Sequence, residues 1–187
     1  MKTESNVMYV LRLALTLLVI TSVVAAALAG VNSITKPVID QLTAEKTQQA
    51  IQAVLPGGGT EMTDLNAVGY PGAELVSKVY EGENGYAIEV KPGGFDNVIT
   101  MMVGVGNDGK VLGISIISHT ETAGLGAVAA AATPAGEAFR GQFVGQSGSV
   151  SVTKDGGTMD AITGATITSR AICDGVNAAL ACAATLG

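Results

Sequence analysis

The stretch VITMMVGVGNDGKVLGISII, residues 98–117, decides the fold class of this chain. It holds two runs rich in β-branched and aliphatic residues, 98–105 and 111–117, and the turn-forming residues 107–110 separate them. An Asp-Gly pair between two such runs is a strong signal for a β-hairpin. The stretch therefore predicts two neighbouring antiparallel strands.

The flanking sequence extends the hairpin and adds helices at both ends. Residues 75–80 and 86–91 are two further short β-rich runs. Apolar residues at helical spacing predict one helix over about 37–55, with Pro37 in its first turn, and another over about 168–184. Less regular predictions are a stretch rich in Gly and Ala at 123–136, a short segment at 139–144 and a strand at 148–153. The order of helix, meander, loops and helix predicts an α+β fold, a twisted, mainly antiparallel sheet flanked by helices.

A charge-free apolar run precedes this domain. The chain has 187 residues, of which 48% are hydrophobic and 14% are charged, and residues 13–35 carry no charge at all. At about 1.5 Å per residue, this run is long enough to cross a hydrocarbon core of about 30 Å. We therefore predict a single transmembrane helix. The alternative is a cleaved signal peptide, with Ala27 and Ala29 at the cleavage site.

The charges around the run predict its orientation. Lys2 and Arg12 precede it, whereas the lysines that follow are mixed with Asp40 and Glu45. This bias favours a cytoplasmic N-terminus in the cell (inner) membrane and an extracytoplasmic domain. The predicted organisation is a cytoplasmic N-terminus (1–12), a transmembrane helix (13–35), a juxtamembrane helix and linker (36–60) and an extracytoplasmic domain (61–187).

Composition excludes several classes of function. The net charge of -6 argues against nucleic-acid binding, because a phosphate backbone requires clustered Lys and Arg. One His and two Cys do not supply the usual spacing of a metal site. Cys173 and Cys182 are nine residues apart on the predicted last helix, on opposite faces and about 13 Å from each other, which is too far for a disulfide. We expect both to be small buried residues.

Residues 104–109 match the dinucleotide-binding pattern GxGxxG by letter. That pattern binds a dinucleotide only where it opens a helix after a strand. Here it leads into another strand through an Asp-Gly turn, so we interpret it as a hairpin only.

The segment 118–126 (SHTETAGLG) follows a predicted strand and contains His119, the only His of the chain. An acid–base pair of His119 and Glu121 is one interpretation, but no nucleophile is adjacent and we assign no catalytic residue. A Gly-rich turn that lets the backbone approach a flat ligand is a better functional interpretation. A strand end with an ordinary, hydrogen-bonded His is an equally good structural one.

Residues 160–170 (DAITGATITSR) place hydroxyl and acidic side chains just before an apolar helical run. The free N–H groups of a helix N-terminus beside a hydroxyl-rich loop suit an anion such as a phosphate. The alternative is a well-capped helix with Thr168 or Ser169 as the N-cap.

This motif resembles the flavinylation motif of the FMN-binding domain. That domain is found in the G-type component of the Rnf electron-transport complex and in the C-type component of the sodium-translocating NADH:quinone oxidoreductase. The similar positions also include 54–56 (VLP), 86–91, 101–104 (MMVG), 119–126, Phe139, 142–143 and 154–157 (KDGG). The short length and single anchor favour the Rnf type. The chain departs from the family at Ala123, where Pro is usual, and in the loop 93–97 (GGFDN).

The resemblance implies that Thr166 carries FMN through a phosphoester, which a separate flavin transferase installs from FAD. Residues implied around the attachment point are Asp160, Thr163, Gly164, Ala165 and Thr168, and those implied around the ring are Glu121, Thr122, Gly124 and Leu125. The chain would then be an electron-carrier subunit of a ferredoxin:NAD translocase with other membrane and redox subunits as partners, and with no active site of its own. The alternatives are the C-type component of the quinone reductase, or a membrane-anchored binding or scaffold module without a cofactor.

Overall fold

The computed structural model describes residues 2–62 and 70–186, with side chains from Val7 onward. The chain divides into two compact units, residues 1–44 and 45–187. The predicted boundaries at residues 12, 35 and 60 stay predictions.

A single helix, α1 (Lys2–Val54), forms the N-terminal part of the chain. Over Val7–Val54 it is long and apolar enough to cross a membrane, and its apolar side chains are exposed. These properties suit a membrane anchor and equally suit a signal sequence. The prediction of a separate helix starting at Pro37 is wrong, because Pro37 lies inside α1. A proline costs the helix one hydrogen bond and some crowding, and no glycine beside it adds to that cost, so the helix continues.

Five antiparallel strands form one sheet in the order β1-β2-β3-β4-β5. They are β1 (Thr60–Glu61), β2 (Val76–Gly82), β3 (Gly85–Val90), β4 (Thr100–Gly106) and β5 (Val111–Ser118). The four predicted β-rich runs are confirmed as β2 to β5. The two-residue strand β1 carries too short a pattern to be predicted from sequence.

The pattern GxGxxG is confirmed as a hairpin between β4 and β5. The amide of Gly106 donates to the carbonyl of Lys110 over 2.8 Å, and Gly109 has φ +73°, which suits glycine. Gly104 pairs with Gly113 across the two strands. A Cβ at Gly104 would collide with the backbone carbonyl of Val54, so this glycine lets the end of α1 pack on the sheet.

Both faces of the sheet are covered, because successive side chains of a strand point to opposite faces. On one face, Ala87 and Met102 pack with Ile51 and Leu55 from the end of α1. The other face packs against the C-terminal helix α3 (Thr166–Leu186) and belongs to the larger core cluster. That cluster includes Ile88, Met101, Val103, Ile172, Val176 and Ala179. The helices and the antiparallel sheet confirm the α+β fold class.

The connection between β5 and α3 differs from the prediction in two places. Helix α2 (Pro134–Gly141) was not predicted; it starts with Pro134 after Thr133, whose hydroxyl accepts from the amide of Gly136. The predicted strand at 148–153 is wrong. Instead, the side-chain amide of Asn177 bonds both the N–H and the carbonyl of Val150, so these groups need no neighbouring strand.

Helix α3 begins two residues before the predicted start at 168. Cys173 and Cys182 lie on it as free, buried thiols, which confirms the expected packing role. Burial raises the pKa of the Cys173 thiol to about 11.

Candidate functional site

Three segments meet around one cavity at the start of α3. They are the loop 93–97 before β4, the turn 121–126 after β5, and the residues 164–168. The cavity has a volume of about 300 Å³. Its lining consists of Phe95, Glu121, Thr122, Leu125, Gly126, Lys154, Gly164, Ala165, Thr166, Ile167 and Thr168.

Glu121 joins the three segments. Its carboxylate is 7% exposed and accepts from the amides of Phe95 (2.8 Å) and Asp96 (3.3 Å). It also accepts from the hydroxyl of Thr168 at 2.5 Å. A buried carboxylate is stable where such donors replace the lost water. Glu121 therefore fixes the loop and the turn against α3.

Glycines make room for this arrangement. A Cβ at Gly94 or at Gly126 would collide with the carboxylate of Glu121. Gly164 has φ +77°, and a Cβ there would lie 2.9 Å from Leu125 Cδ2. The turn before α3 and the turn 121–126 thus approach each other as closely as their backbones allow.

Thr166 is the first residue of α3 and is half-buried. Its hydroxyl accepts from Lys154 Nζ over 3.3 Å. Among the hydrogen bonds of residues 70–186, none uses the backbone N–H groups of 166–168. The positive end of the helix dipole and the Lys154 ammonium therefore both face the Thr166 hydroxyl, which favours an anion there.

The mouth of the cavity is apolar. Phe95 is 68% exposed, Leu125 42% and Ile167 49%. Large apolar side chains that stay exposed together around a cavity are typical of a ligand-binding or interaction site. The site thus pairs a polar, positive end at Thr166 with an apolar rim.

The predicted N-caps are wrong, because Thr168 and Ser169 lie inside the first turn of α3. Thr168 donates to Glu121, as described above. Ser169 Oγ donates to the carbonyl of Ala165 over 2.9 Å and accepts from the amide of Ile162 over 3.0 Å. These hydroxyls hold the loop before α3 to the helix and do not cap it.

The structure brings seven of the ten predicted site residues to this cavity: Glu121, Thr122, Leu125, Gly164, Ala165, Thr166 and Thr168. The other three, Gly124, Asp160 and Thr163, line a neighbouring cavity of about 550 Å³. Asp160 fixes the start of the motif through its backbone, since its amide donates to Gln142 Oε1 over 2.7 Å.

Sequence reasoning did not assign four lining residues, Phe95, Gly126, Lys154 and Ile167. Phe95 follows two glycines in the loop 93–97, and Lys154 precedes Asp155 and two further glycines. An exposed aromatic and a lysine beside glycines were the available signals, but neither indicates which segment it meets in the fold.

His119 takes no part in this site. It lines a different cavity with Lys46 and Gln49, and its buried Nδ1 has no hydrogen-bond partner among the described residues. The interpretation as an ordinary, hydrogen-bonded His is therefore wrong for this nitrogen. The acid–base pair is also unsupported, because the described hydrogen bonds of Glu121 go to Phe95, Asp96 and Thr168. In the same parts of the chain, no three His, Cys, Asp or Glu side chains are grouped to hold a metal ion.

Comparison with known proteins gives a consistent assignment. A family model of the FMN-binding domain matches residues 94–181, which include the loop 93–97 almost entirely, the turn 121–126 and Thr166. A protein of Methanosarcina acetivorans, named as the G-type component of an ion-translocating oxidoreductase complex, is 33% identical over 88% of this chain and 89% of its own length. The G-type component of the Na(+)-translocating ferredoxin:NAD(+) oxidoreductase complex of Acetobacterium woodii is 33% identical over 90% and 88%.

A shorter match, 40% identical over 51% of each chain, is to the G-type component of the proton-translocating ferredoxin:NAD(+) oxidoreductase complex of Clostridium ljungdahlii. These similarities confirm the resemblance drawn from residues 160–169. The chain belongs to the family of FMN-binding, G-type components of ion-translocating oxidoreductase complexes.

Proposed function

We propose that this chain is the electron-carrier subunit of a membrane-bound, Rnf-type ferredoxin:NAD oxidoreductase and carries FMN covalently on Thr166. The observation that supports this most directly is the place of the Thr166 hydroxyl. It lies at the N-terminus of a 21-residue helix, at the edge of a cavity with an apolar mouth, and within 3.3 Å of a lysine ammonium.

The residues around Thr166 fit the phosphate end of FMN. A phosphoester at Oγ1 would place negative charge beside the free N–H groups at the start of α3 and beside Lys154. Both favour an anion. Gly164 and Ala165 precede this hydroxyl and carry no long side chain, so an attached group has room to leave the helix toward the cavity.

The rest of the cavity fits the ring of FMN. Phe95, Leu125 and Ile167 offer apolar surface at its mouth, and the Glu121 hydrogen bonds fix the loop and turn that carry two of them. A rigid site holds a flat ring in one orientation, which is what a protein contributes to flavin chemistry. FMN itself supplies the transfer of electrons, singly or in pairs.

The remaining parts of the proposal concern location and partners. The relatives are named as components of complexes, so we infer other membrane and redox subunits as partners and a flavin transferase during maturation. We infer that α1 anchors the chain in the cell membrane with its N-terminus in the cytoplasm, and that the FMN domain lies outside. Covalent attachment suits that side, because a diffusible cofactor would be lost from the cell.

Two threonines of one motif provide the test. The full chain is produced with a flavin transferase, and the denatured protein band is examined for flavin fluorescence. Thr166→Ala should abolish the fluorescence, whereas Thr163→Ala, which removes an exposed hydroxyl outside the cavity, should retain it. A fluorescent Thr166→Ala band would refute attachment at Thr166, and a wild-type chain that acquires no flavin would favour a cofactor-free module.

A further inference from the structure

We propose that Lys154 is a positioning residue for flavin attachment: it selects the hydroxyl of Thr166 and neutralises the phosphodiester that forms there. This inference rests on the proposed function. It starts from the 3.3 Å hydrogen bond that Lys154 Nζ donates to Thr166 Oγ1, between residues twelve positions apart in the sequence.

The backbone at Lys154 is held in place. Lys154 is the middle residue of a 3₁₀ turn, Thr153–Asp155, which follows the fully buried Val152. The next residue, Asp155, binds Arg170 of α3 through two hydrogen bonds of 2.6 Å. This bidentate pair ties the turn to the first turns of the helix, so the lysine starts from a fixed point near Thr166.

The charge of Lys154 is available for a ligand. Arg170 occupies Asp155 and holds the pKa of that carboxyl below its usual value. Lys78, Lys91 and Lys110 each form an ion pair with a carboxylate, but Lys154 forms none with any residue that the structure describes. An unpaired ammonium that contacts a hydroxyl suits an anionic group on that hydroxyl.

The neighbouring threonines lack this environment. Thr168 is 1% exposed and its hydroxyl donates to Glu121, so it is neither accessible nor free. Thr163 is exposed, but no cation contacts its hydroxyl within the described residues. Of the three, only Thr166 combines partial exposure with a cationic partner.

The transfer balances without any change in oxidation state. Thr166 Oγ attacks the flavin-side phosphorus of FAD, an O–P bond forms, the pyrophosphate P–O bond breaks and AMP leaves. The hydroxyl proton passes to a base of the transferase or to water. Lys154 stays protonated throughout and donates first to Oγ1 and then to the phosphodiester, which carries one negative charge.

The test measures attachment and not electron transfer. Full-length protein in detergent, made without the transferase, is incubated with purified flavin transferase, FAD and Mg²⁺, and the flavinylated fraction is followed by intact mass. Lys154→Gln should slow attachment about fivefold, Lys154→Arg should restore most of the rate, and the matched control Lys110→Gln should not change it. The difference between wild type and Lys154→Gln should shrink at 1 M salt, because salt screens an exposed charge and does not repair a folding defect.

Two results would overturn the role of Lys154: a Lys154→Gln rate equal to the wild-type rate, or equal losses in the Gln and Arg variants that persist at high salt. Either result, with wild type still modified at Thr166, leaves the proposed function intact. A wild-type chain modified at another residue would instead refute the proposed function.

Discussion

Glu121→Ala removes the carboxylate that holds the loop 93–97 to α3. Three donors lose their acceptor: the amides of Phe95 and Asp96 and the hydroxyl of Thr168. A hydrogen bond to a charged group contributes about 1.5–3 kcal/mol. Phe95 and Asp96 are exposed residues whose amides regain water when the loop opens, so we expect the free energy of local opening to fall by about 2 kcal/mol.

Hydrogen exchange measured by mass spectrometry reports this opening directly. A loss of about 2 kcal/mol corresponds to roughly 30-fold faster exchange in peptides covering 93–97, because 1.36 kcal/mol is a factor of ten. Glu121→Gln should accelerate exchange by only about fivefold. Its amide oxygen still accepts from the loop, and its NH₂ group can donate to the Thr168 hydroxyl.

The matched control is Glu83→Ala, which removes an exposed carboxylate that forms no hydrogen bond or ion pair within the described parts of the chain. Its loop should exchange at the wild-type rate. Wild-type exchange at 93–97 in Glu121→Ala would refute the role of Glu121 as the residue that fixes the site. So would an equal acceleration in Glu83→Ala.

Three further predictions concern packing, topology and pH. Gly126→Ala should lower the thermal unfolding midpoint of the full chain, by about 2 kcal/mol in stability, because a Cβ would collide with Glu121, whereas Gly93→Ala, with nothing within 4 Å, should not. Ser147→Cys should react with a membrane-impermeant maleimide in intact cells, after permeabilisation of an outer membrane if there is one; labelling only after lysis of the inner membrane would reverse the topology. The pKa of Cys173 is raised to about 11 from 9.0, so the unfolded thiol ionises first and stability should fall between about pH 9 and pH 11. Thermal melts at both pH values should show a smaller fall in Cys173→Ala, and an identical fall would contradict a buried, protonated thiol.

Local sequence signals predicted most of the fold. The hairpin of 98–117 depends on an Asp-Gly turn between two β-rich runs, and both lie within twenty residues of each other. Helix α3 follows from its apolar spacing, to within two residues at its start. The strand predicted at 148–153 failed for the opposite reason. Its backbone groups are satisfied by Asn177, which is 27 positions away from Val150, and no local pattern reveals that contact.

The candidate site shows the same division. The hydroxyl-rich turn before α3 and the Gly-rich turn at 121–126 were visible as motifs, and the structure brings them to one cavity. The sequence did not show that Glu121 binds the amide of Phe95, 26 positions earlier, or that Lys154 reaches Thr166. These contacts depend on the order of the strands and on the start of α3, which are properties of the folded chain.

The most direct measurement of the central claim is peptide mass spectrometry of the protein purified from its own cells. Digestion releases the peptide 155–170, which contains Thr163, Thr166 and Thr168, and fragmentation assigns any added mass to one side chain. We predict that this peptide carries the mass of one phosphoester-linked FMN and that the fragments place it on Thr166. An unmodified peptide, or FMN located on Thr163 or Thr168, would contradict the account.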